Sequence, residues 1–452
     1  MNPEELVELG LAQEMAVVLA EKSTSVNLRI ANNSATTNGR EESSSVGVVA
    51  LERGRVGVQA GDVVDGAQVE RLAAAARARA SESPEAPDQM PLLSPEEAAP
   101  DSPNNAGRAP EAVPADLEPI LDPLRALLDQ SRADGLRCFG YAQTRASQER
   151  LGSITGVRRE GRQQSSSLSL TLKTDDLGRS VWAGATARRL ADLDPLEMYR
   201  RLQQRLSWTG KAVALPAGHY QVILEPSATA DMVVQLMWEM HARGADEGRT
   251  VFAGKAGNRV GEAMYAKEVH LQSDPLDTEM PVPNFVRCLG SSEYASIFDS
   301  GLEVPAAVWV DGGVQQELIC PRRWARDHAH PVRPDADNLE MRGTGTTLDE
   351  MIASSERALL VTSLWYIREV DPTRLLLTGL TRDGVFLVER GEVVGVVNNF
   401  RFNESPVGVL QRTVEIGRSE LAFSREIGEE LFVKAPPIRV DGFFMSSVSE
   451  AV

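Results

Sequence analysis

Residues 359 to 406 have the sequence LLVTSLWYIREVDPTRLLLTGLTRDGVFLVERGEVVGVVNNFRFNESP. The apolar runs in this stretch have the length and the β-branched and aromatic content of short strands. We predict strands at Leu375–Leu380, Val385–Glu389 and Val393–Asn398. The second half of the chain is therefore expected to be rich in β-structure.

A few helices interrupt the strands of this half. Ser227 is the expected N-cap of a helix that reaches about His241, and Thr347 begins a helix over 347–358 with Glu350 as capping-box partner. Two helical patterns near the end cover Val407–Ile416 and Glu420–Leu431. The other strands predicted in this half are Tyr220–Leu224, Glu268–Leu271 and Val308–Val310.

The first half of the chain mixes helices and strands. Asn2 and Pro3, followed by two glutamates, are typical of a helix start. The other helices are predicted at Gly66–Ala80, Ile120–Ala133 and 194–206. Strands are predicted at Ser25–Ala31, Ser45–Leu51, Gly54–Gln59 and between Leu136 and Ala187. Turns are predicted at Asn32-Asn33, Asn38-Gly39, Gly156, Gly161 and Gly178.

These patterns predict an α+β protein with two domains. Residues 1–209 would form an α+β N-terminal domain, and residues 210–452 a β-rich C-terminal domain with a few helices. Residues 81–119 are dense in proline, serine and acidic residues. Because proline bars continued helix and the apolar content is low, we expect this segment to be an exposed, mobile connection.

The composition excludes several classes of protein. The 452 residues carry a net charge of −18, which argues against non-specific binding to nucleic acid. No apolar run approaches the length of a membrane span, and the N-terminus lacks the pattern of a signal peptide. Cys138, Cys288 and Cys320 are far apart and odd in number, as is typical of reduced thiols. We therefore expect a cytoplasmic protein without membrane or nucleic-acid partners.

Four stretches resemble the TldD/PmbA family of two-chain metalloproteases. They are ANNSATTNG (31–39), DEGRTVF (246–252), the stretch 359–406 and the ending FFMSSVSEAV (443–452). The resemblance implies an α+β N-terminal domain and a β-rich C-terminal domain. It also implies a heterodimer that encloses a chamber and receives extended peptides.

The catalytic chain of that family carries a His-Glu-x-x-x-His zinc motif on a central helix. The matching region here, PSATADMVVQLMWEMHARGADEG (226–248), contains a single histidine, His241. The resemblance also implies a zinc-binding cysteine near the C-terminus, and no cysteine follows Cys320. The chain therefore resembles the non-catalytic PmbA/TldE-type subunit. Zinc is expected in a TldD-like partner and no cofactor in this chain, and the substrate is a peptide or a peptide-like conjugate of a specialised-metabolite pathway.

The block 359–406 also holds the candidate residues for binding substrate or partner. Arginine and asparagine side chains are suited to hold peptide carbonyls and carboxylates, and an exposed strand edge is suited to pair with an extended chain. The alternative is that Phe400 and Phe402 belong to the core while Arg401 and Glu404 pair on the surface. The candidate residues are Trp365, Tyr366, Arg368, Asn398, Asn399, Arg401, Asn403 and Glu404.

Two other functions stay open on the sequence alone. His328 and His330, with Asp335 and Asp337 nearby, would share a metal ion if they lay on a strand. This arrangement would make the chain a self-sufficient metal hydrolase, although the run RDHAHPVRPDAD has the composition of a polar loop. The other possibility is a non-enzymatic homodimeric scaffold.

Overall fold

A computed structural model describes residues 1–98, 115–255, 257–382, 384–426, 428 and 431–449. Over these residues the chain is an α+β protein with two domains, as the sequence predicts. The first domain has one six-stranded sheet with helices, and in the second domain a six-stranded and a ten-stranded sheet contribute to the core around a central helix. The exact boundary between residues 209 and 210 stays a prediction.

The N-terminal domain is built on one antiparallel sheet. The helices are α1 (Pro3–Ala12), α2 (Gly66–Glu82), α3 (Glu118–Ala133) and α4 (Pro195–Trp208), and the strands are β1 (Val17–Ala31), β2 (Ser34–Glu52), β3 (Arg55–Asp62), β4 (Leu136–Ser153), β5 (Arg158–Thr174) and β6 (Ser180–Ala187). The strand order in the sheet is β3-β2-β1-β4-β5-β6. Asn2 caps α1, with its side chain accepting a hydrogen bond from the Glu4 N–H at 3.1 Å.

The first hairpin is longer than the sequence predicts. Asn38 and Gly39 were expected to form a turn, but both lie within β2, opposite Leu28 and Asn27. The chain reverses only at the pair Asn32-Asn33, whose φ values of 51° and 60° are left-handed. Asparagine tolerates this conformation, so the turn predicted at Asn32-Asn33 forms. The turn predicted at Asn38-Gly39 does not form, because both residues pair with β1.

The turn predicted at Gly161 is also wrong. Gly161 pairs with Glu149 in the middle of the ladder between β4 and β5. A Cβ atom at Gly161 would come within 2.8 Å of the Pro283 side chain. The glycine therefore permits close approach of the two domains and does not reverse the chain.

Part of the segment predicted to be an exposed connection is packed on this sheet. Residues 99–114, the middle of 81–119, lie outside the described residues. Before them, Glu85 forms a bridge with Arg55, and Leu93 and Ala98 are 3% and 1% exposed. The prediction of exposure is wrong for these two apolar side chains, which join the core around Val17, whereas the rest of 85–98 is exposed or half-buried.

The C-terminal domain has helices α5 (Pro226–Trp238), α6 (Ala242–Asp246), α7 (Arg322–His328), α8 (Leu348–Ala353) and α9 (Pro406–Gln411). Its first strands are β7 (Ala212–Val213), β8 (Gly218–Leu224), β9 (Ala253–Gly254), β10 (Gly257–Asn258), β11 (Leu271–Ser273), β12 (Ala307–Asp311), β13 (Val314–Gln315) and β14 (Asn338–Met341). The remaining strands are β15 (Arg357–Val361), β16 (Leu364–Asp371), β17 (Leu376–Thr381), β18 (Val385–Glu389), β19 (Glu392–Val397), β20 (Phe400–Glu404), β21 (Thr413–Ile416), β22 (Glu420–Leu421), β23 (Phe432–Ala435) and β24 (Ile438–Val448).

These strands form two principal sheets. A six-stranded sheet has the order β13-β12-β11-β14-β23-β22, and a ten-stranded sheet has the order β16-β17-β20-β24-β8-β15-β18-β19-β7, with β21 added beside β24. Helix α5 is buried in the core that joins both sheets. Alternate residues of β8 face opposite layers: Val222 and Leu224 join the core around α5, and Ile223 joins the core beneath α3 and α4.

Several helix predictions in this domain need correction. The helix that begins after Thr347 ends at Ala353, because Arg357–Val361 pairs with β18 and β8. The pattern at Val407–Ile416 is a short helix followed by β21, which pairs with β24. The helix predicted at Glu420–Leu431 is wrong, since its described residues form β22 and a turn. The strand predicted at Glu268–Leu271 begins only at Leu271.

None of the helices in the described part of the chain is long and apolar enough to cross a membrane. The three cysteines are buried and free.

Candidate functional site

Helix α5 is the element on which the family resemblance would place a zinc motif. Asp231 is 1% exposed, and its Oδ1 accepts hydrogen bonds from Ser424 Oγ at 2.7 Å and from the Glu426 N–H at 3.4 Å. Burial raises the pKa of this carboxyl to about 7. The carboxylate is thus held inside the core by the loop that contains Ser424.

The ends of α5 differ from the prediction. The helix begins at Pro226, and Ser227 donates its hydroxyl to the Phe423 carbonyl at 2.6 Å instead of capping the helix. The helix ends at Trp238, before His241. His241 caps the following helix, α6, by accepting a hydrogen bond from the Gly244 N–H at 3.1 Å through Nδ1.

A cluster of titratable groups lies where α5 ends. Nδ1 of His241 accepts from the Gly244 N–H and lies 3.2 Å from Glu293 Oε2, and Nε2 lies 3.9 Å from Glu239 Oε2. Burial lowers the pKa of His241, with the negative charge of Glu293 opposing the effect. Burial raises the pKa of Glu239 to about 7, helped by the charges of Glu369 and Glu293. Glu239 therefore exchanges a proton near neutral pH.

Strand β16 forms one edge of the ten-stranded sheet in the part of the chain that the structure describes. The Arg368 guanidinium lies 4.2 Å from the centre of the Tyr366 ring, and Tyr366 is 55% exposed. The Tyr366 N–H donates to the Glu426 carboxylate, and the Arg425 guanidinium lies 4.7 Å from the Trp365 ring. Three of the candidate binding residues thus lie together at this edge.

The register of the sheet places two of these residues, Trp365 and Arg368, on the same face as the candidate residues Arg401 and Asn403. Trp365 pairs with Leu380, which pairs with Arg401, and Arg368 pairs with Thr378, which pairs with Asn403. Directly paired residues share a face of a sheet, so Trp365, Arg368, Arg401 and Asn403 lie on one face. Arg401 is exposed there and donates to Thr378 Oγ1 at 3.3 Å.

The other candidate residues of this block do not join that face. Glu404 is 5% exposed and accepts hydrogen bonds from Arg412 Nη2 and from the Phe444 N–H, both at 2.6 Å. Burial raises the pKa of Glu404. The Asn398 side chain accepts from the Leu215 N–H at 2.8 Å, and the Asn399 carbonyl accepts from the Ser449 N–H. These residues hold the strand ends together.

The alternative interpretation of this block is right in one part and wrong in another. Phe400 and Phe402 are fully buried in the core, as that interpretation expects. Arg401 and Glu404 do not pair on the surface, because Glu404 faces the core and binds Arg412.

His328 and His330 lie at the end of α7 and just after it. The expectation of a polar loop is wrong for His328, which is helical and stacks on Trp324 with ring centres 3.7 Å apart. The ring of His330 is bound at Nε2 by Asp246 Oδ2 at 2.8 Å. Asp337 pairs with Arg287. Among the described residues no group of three or more His, Cys, Asp or Glu side chains is arranged to hold a metal ion.

Sequence reasoning missed several residues at this site. Glu293, Arg425 and Glu426 approach the edge strand and α5 from loops that are distant in sequence. Arg425 and Glu426 fell within a predicted helix, so no local pattern pointed to them.

Three solved structures have a fold similar to this chain. TldE from Thermococcus kodakarensis is 15% identical, with a TM-score of 0.80 over 98% of this chain and 99% of that chain. A Thermotoga maritima protein described as a modulator of a DNA gyrase is 14% identical, with a TM-score of 0.75 over 98% of each chain. A Bacteroides thetaiotaomicron protein described as a modulator of DNA gyrase is 13% identical, with a TM-score of 0.78 over 99% of this chain and 98% of that chain.

No curated protein matches the sequence. Residues 217–447 match the family described as the PmbA/TldA metallopeptidase C-terminal domain, which is more than half of the chain. The chain therefore belongs to the PmbA/TldD metallopeptidase family.

Proposed function

We propose that this chain is the non-catalytic, TldE-type subunit of a two-chain metallopeptidase. Its partner would be a TldD-like chain that carries the His-Glu-x-x-x-His motif and the zinc ion. The observation that supports this proposal is that the acid of α5, Asp231, is buried in the core and hydrogen-bonded by Ser424 and Glu426. A zinc site needs three or four ligands that converge on one point, and the described residues near α5 do not supply them.

The role of the chain would be to complete a chamber and bind an extended substrate. The edge strand β16 offers backbone groups for sequence-independent pairing with an extended peptide. The face that carries Trp365, Arg368, Arg401 and Asn403 would contact substrate or partner side chains. Asn398, Asn399 and Glu404 would act indirectly, by holding the ends of β19 and β20. Tyr366, stacked under Arg368, would contact the bound chain directly.

The reaction would be hydrolysis of a peptide or amide bond in the cytoplasm. Its substrate is either a peptide precursor or a small peptide-like conjugate of a specialised-metabolite pathway. The chamber would accept both classes, because backbone pairing does not depend on side chains.

The test is cleavage of an unstructured peptide by three samples, each with and without chelator. The samples are this chain, the TldD-like homologue from the same genome, and their mixture. We expect chelator-sensitive cleavage to be strongest in the mixture and absent from this chain alone. Chelator-sensitive cleavage by this chain alone would instead return attention to His328 and His330. A stable homodimer with no effect on the homologue would favour a scaffold.

A pair of matched variants tests the role of the edge strand. Val370 on β16 is 59% exposed, and Val414 on β21 is 55% exposed. Val370→Asp places an unpaired charge on the edge, so we expect slower cleavage by the mixture. Val414→Asp should leave cleavage unchanged. Equal effects of the two substitutions would contradict a role for this edge.

A further inference from the structure

One face of the ten-stranded sheet carries two arginines close to its free edge. Arg368 lies on the edge strand β16, and Arg401 lies on β20, with β17 between them. Arg368 pairs with Thr378 of β17, and Arg401 pairs with Leu380 of the same strand. Thr378 and Leu380 are two residues apart, so all four side chains leave the sheet on the same side.

Both guanidinium groups are open to solvent, and each has donors left for another group. Arg401 is exposed and donates to Thr378 Oγ1 at 3.3 Å, and it forms no ion pair with a described residue. Arg368 has 58% of its side chain accessible, and its Nη1 lies 3.6 Å from Glu426 Oε2. This distance is long for a charge-assisted hydrogen bond, so Arg368 is only weakly paired.

The carboxylates around this face are bound by other groups or lie on the other side. Glu426 accepts the Tyr366 N–H. Asp371, at the end of β16, accepts the N–H of Thr373 at 3.0 Å and its hydroxyl at 2.7 Å. Glu369 is paired to the opposite face of the sheet. The two guanidinium groups are therefore left for an anionic ligand.

The ligand that fits these groups is an extended chain with acidic side chains. Neighbouring strands lie about 4.8 Å apart and residues two apart on a strand about 6.7 Å, so the Cα atoms of Arg368 and Arg401 are roughly 12 Å apart. Residues four positions apart in an extended peptide are separated by about 13 Å, and their side chains share a side. Two carboxylates at that spacing would each accept hydrogen bonds from one guanidinium group. Trp365, on the same face, offers a surface for an apolar side chain of the ligand.

We propose that this face binds an acidic segment of the substrate peptide, with side-chain carboxylates four positions apart. This role of the face rests on the proposed function and gives it a substrate class. The edge strand would bind any extended backbone, whereas Arg368 and Arg401 would favour chains that carry acids. The whole chain has a net charge of −18, so most of its surface repels such a peptide and the attraction has to come from the two arginines.

Binding to the full-length chain alone tests the proposal without requiring cleavage or a partner. The probe is an acetylated and amidated peptide with two glutamates four positions apart in a serine and threonine background, labelled with an uncharged fluorophore. Fluorescence anisotropy measures its dissociation constant. We expect this peptide to bind, and the same peptide with glutamine at both positions to bind roughly tenfold more weakly. High salt should weaken binding of the glutamate peptide, because exposed ion pairs are screened.

Matched variants locate the binding site. Arg368→Gln and Arg401→Gln each remove one exposed charge, so each should weaken binding roughly two- to fivefold, and the double variant roughly tenfold. Arg357→Gln is the control, because Arg357 is an arginine on β15 of the same sheet with 62% of its side chain accessible. It should leave the affinity unchanged. Circular dichroism checks that each variant keeps the fold of the wild type.

Equal binding of the glutamate and glutamine peptides, or equal affinities of the wild type and the double variant, would overturn the proposal. A second result would also overturn it. If neither protein binds the peptide and the double variant no longer associates with the TldD-like homologue, Arg368 and Arg401 belong to the subunit interface. None of these results contradicts the proposed function, which is tested separately by cleavage in the mixture.

Discussion

The stability of the Asp231→Asn variant relative to the wild type should rise with pH. In the folded protein, burial raises the pKa of Asp231 from the ordinary value of 3.8 to about 7. Between these two pH values the folded chain binds a proton that the unfolded chain has released. The free energy of unfolding therefore falls as pH rises through this window, and the destabilisation is complete above about pH 7.

The size of the effect follows from these two pKa values. Linkage makes the ionisation of Asp231 cost about 4 kcal/mol at pH 8 and about 2 kcal/mol at pH 5. Asparagine does not ionise, so the variant lacks this dependence. Its stability relative to wild type should rise by about 2 to 3 kcal/mol between pH 5 and pH 8. The change with pH is the test, because the new amide group adds its own, pH-independent cost.

Urea unfolding at the two pH values, followed by circular dichroism, measures this difference. Asp122→Asn serves as the control, since it makes the same change of side chain at an exposed position on α3. If Asp231→Asn also differs from wild type by the same amount at pH 5 and pH 8, Asp231 is not a strained buried carboxylate. The interpretation of α5 as a helix that holds its acid inside the core would then be wrong.

Other predictions follow from packing and burial. Phe402→Ala should lower the free energy of unfolding by about 3–5 kcal/mol in urea titrations, because Phe402 is fully buried, and a loss below about 1 kcal/mol would contradict that packing. Glu149→Gln removes the charge that binds Arg287 across the domains, so we expect a loss of about 1–3 kcal/mol by the same method. Burial raises the pKa of the Cys138 and Cys320 thiols to about 12, so a thiol reagent at pH 8 should label them only after unfolding, and rapid labelling of the native chain would count against this burial.

The parts of the fold that depend on local pattern could be predicted. Asn2 and Thr347 cap helices because their partners lie three residues or fewer away. Short runs of apolar, β-branched and aromatic residues predict β8 and β18 for the same reason. The segment Glu420–Leu431 could not be predicted, because β22 is created by pairing with β23, and no residue within the segment reveals that partner.

For the candidate site, too, the sequence predicted the residues but not the strand pairing that brings them together. The sequence points to Trp365 and Arg401, but only the register through β17 places them on one face. Glu404 has the same polar character in the sequence, yet it faces the core because β20 alternates its side chains.

The loop that contains Ser424 and Glu426 contacts both α5 and the edge strand β16. Ser424 and the Glu426 N–H bind the carboxylate of Asp231, and the Glu426 side chain accepts the Tyr366 N–H. The loop thus fixes the acid of the helix and also occupies the first part of the edge. Tyr366 is left-handed, with φ of 55°, and the pairing of β16 with β17 shifts between Trp365 and Arg368 and again between Glu369 and Asp371. An extended chain would therefore meet only a short regular stretch of β16. A contact this short would not hold an extended substrate by itself, so further contacts would have to come from a partner subunit. The proposed function, in which this chain pairs with a TldD-like subunit, includes such a partner.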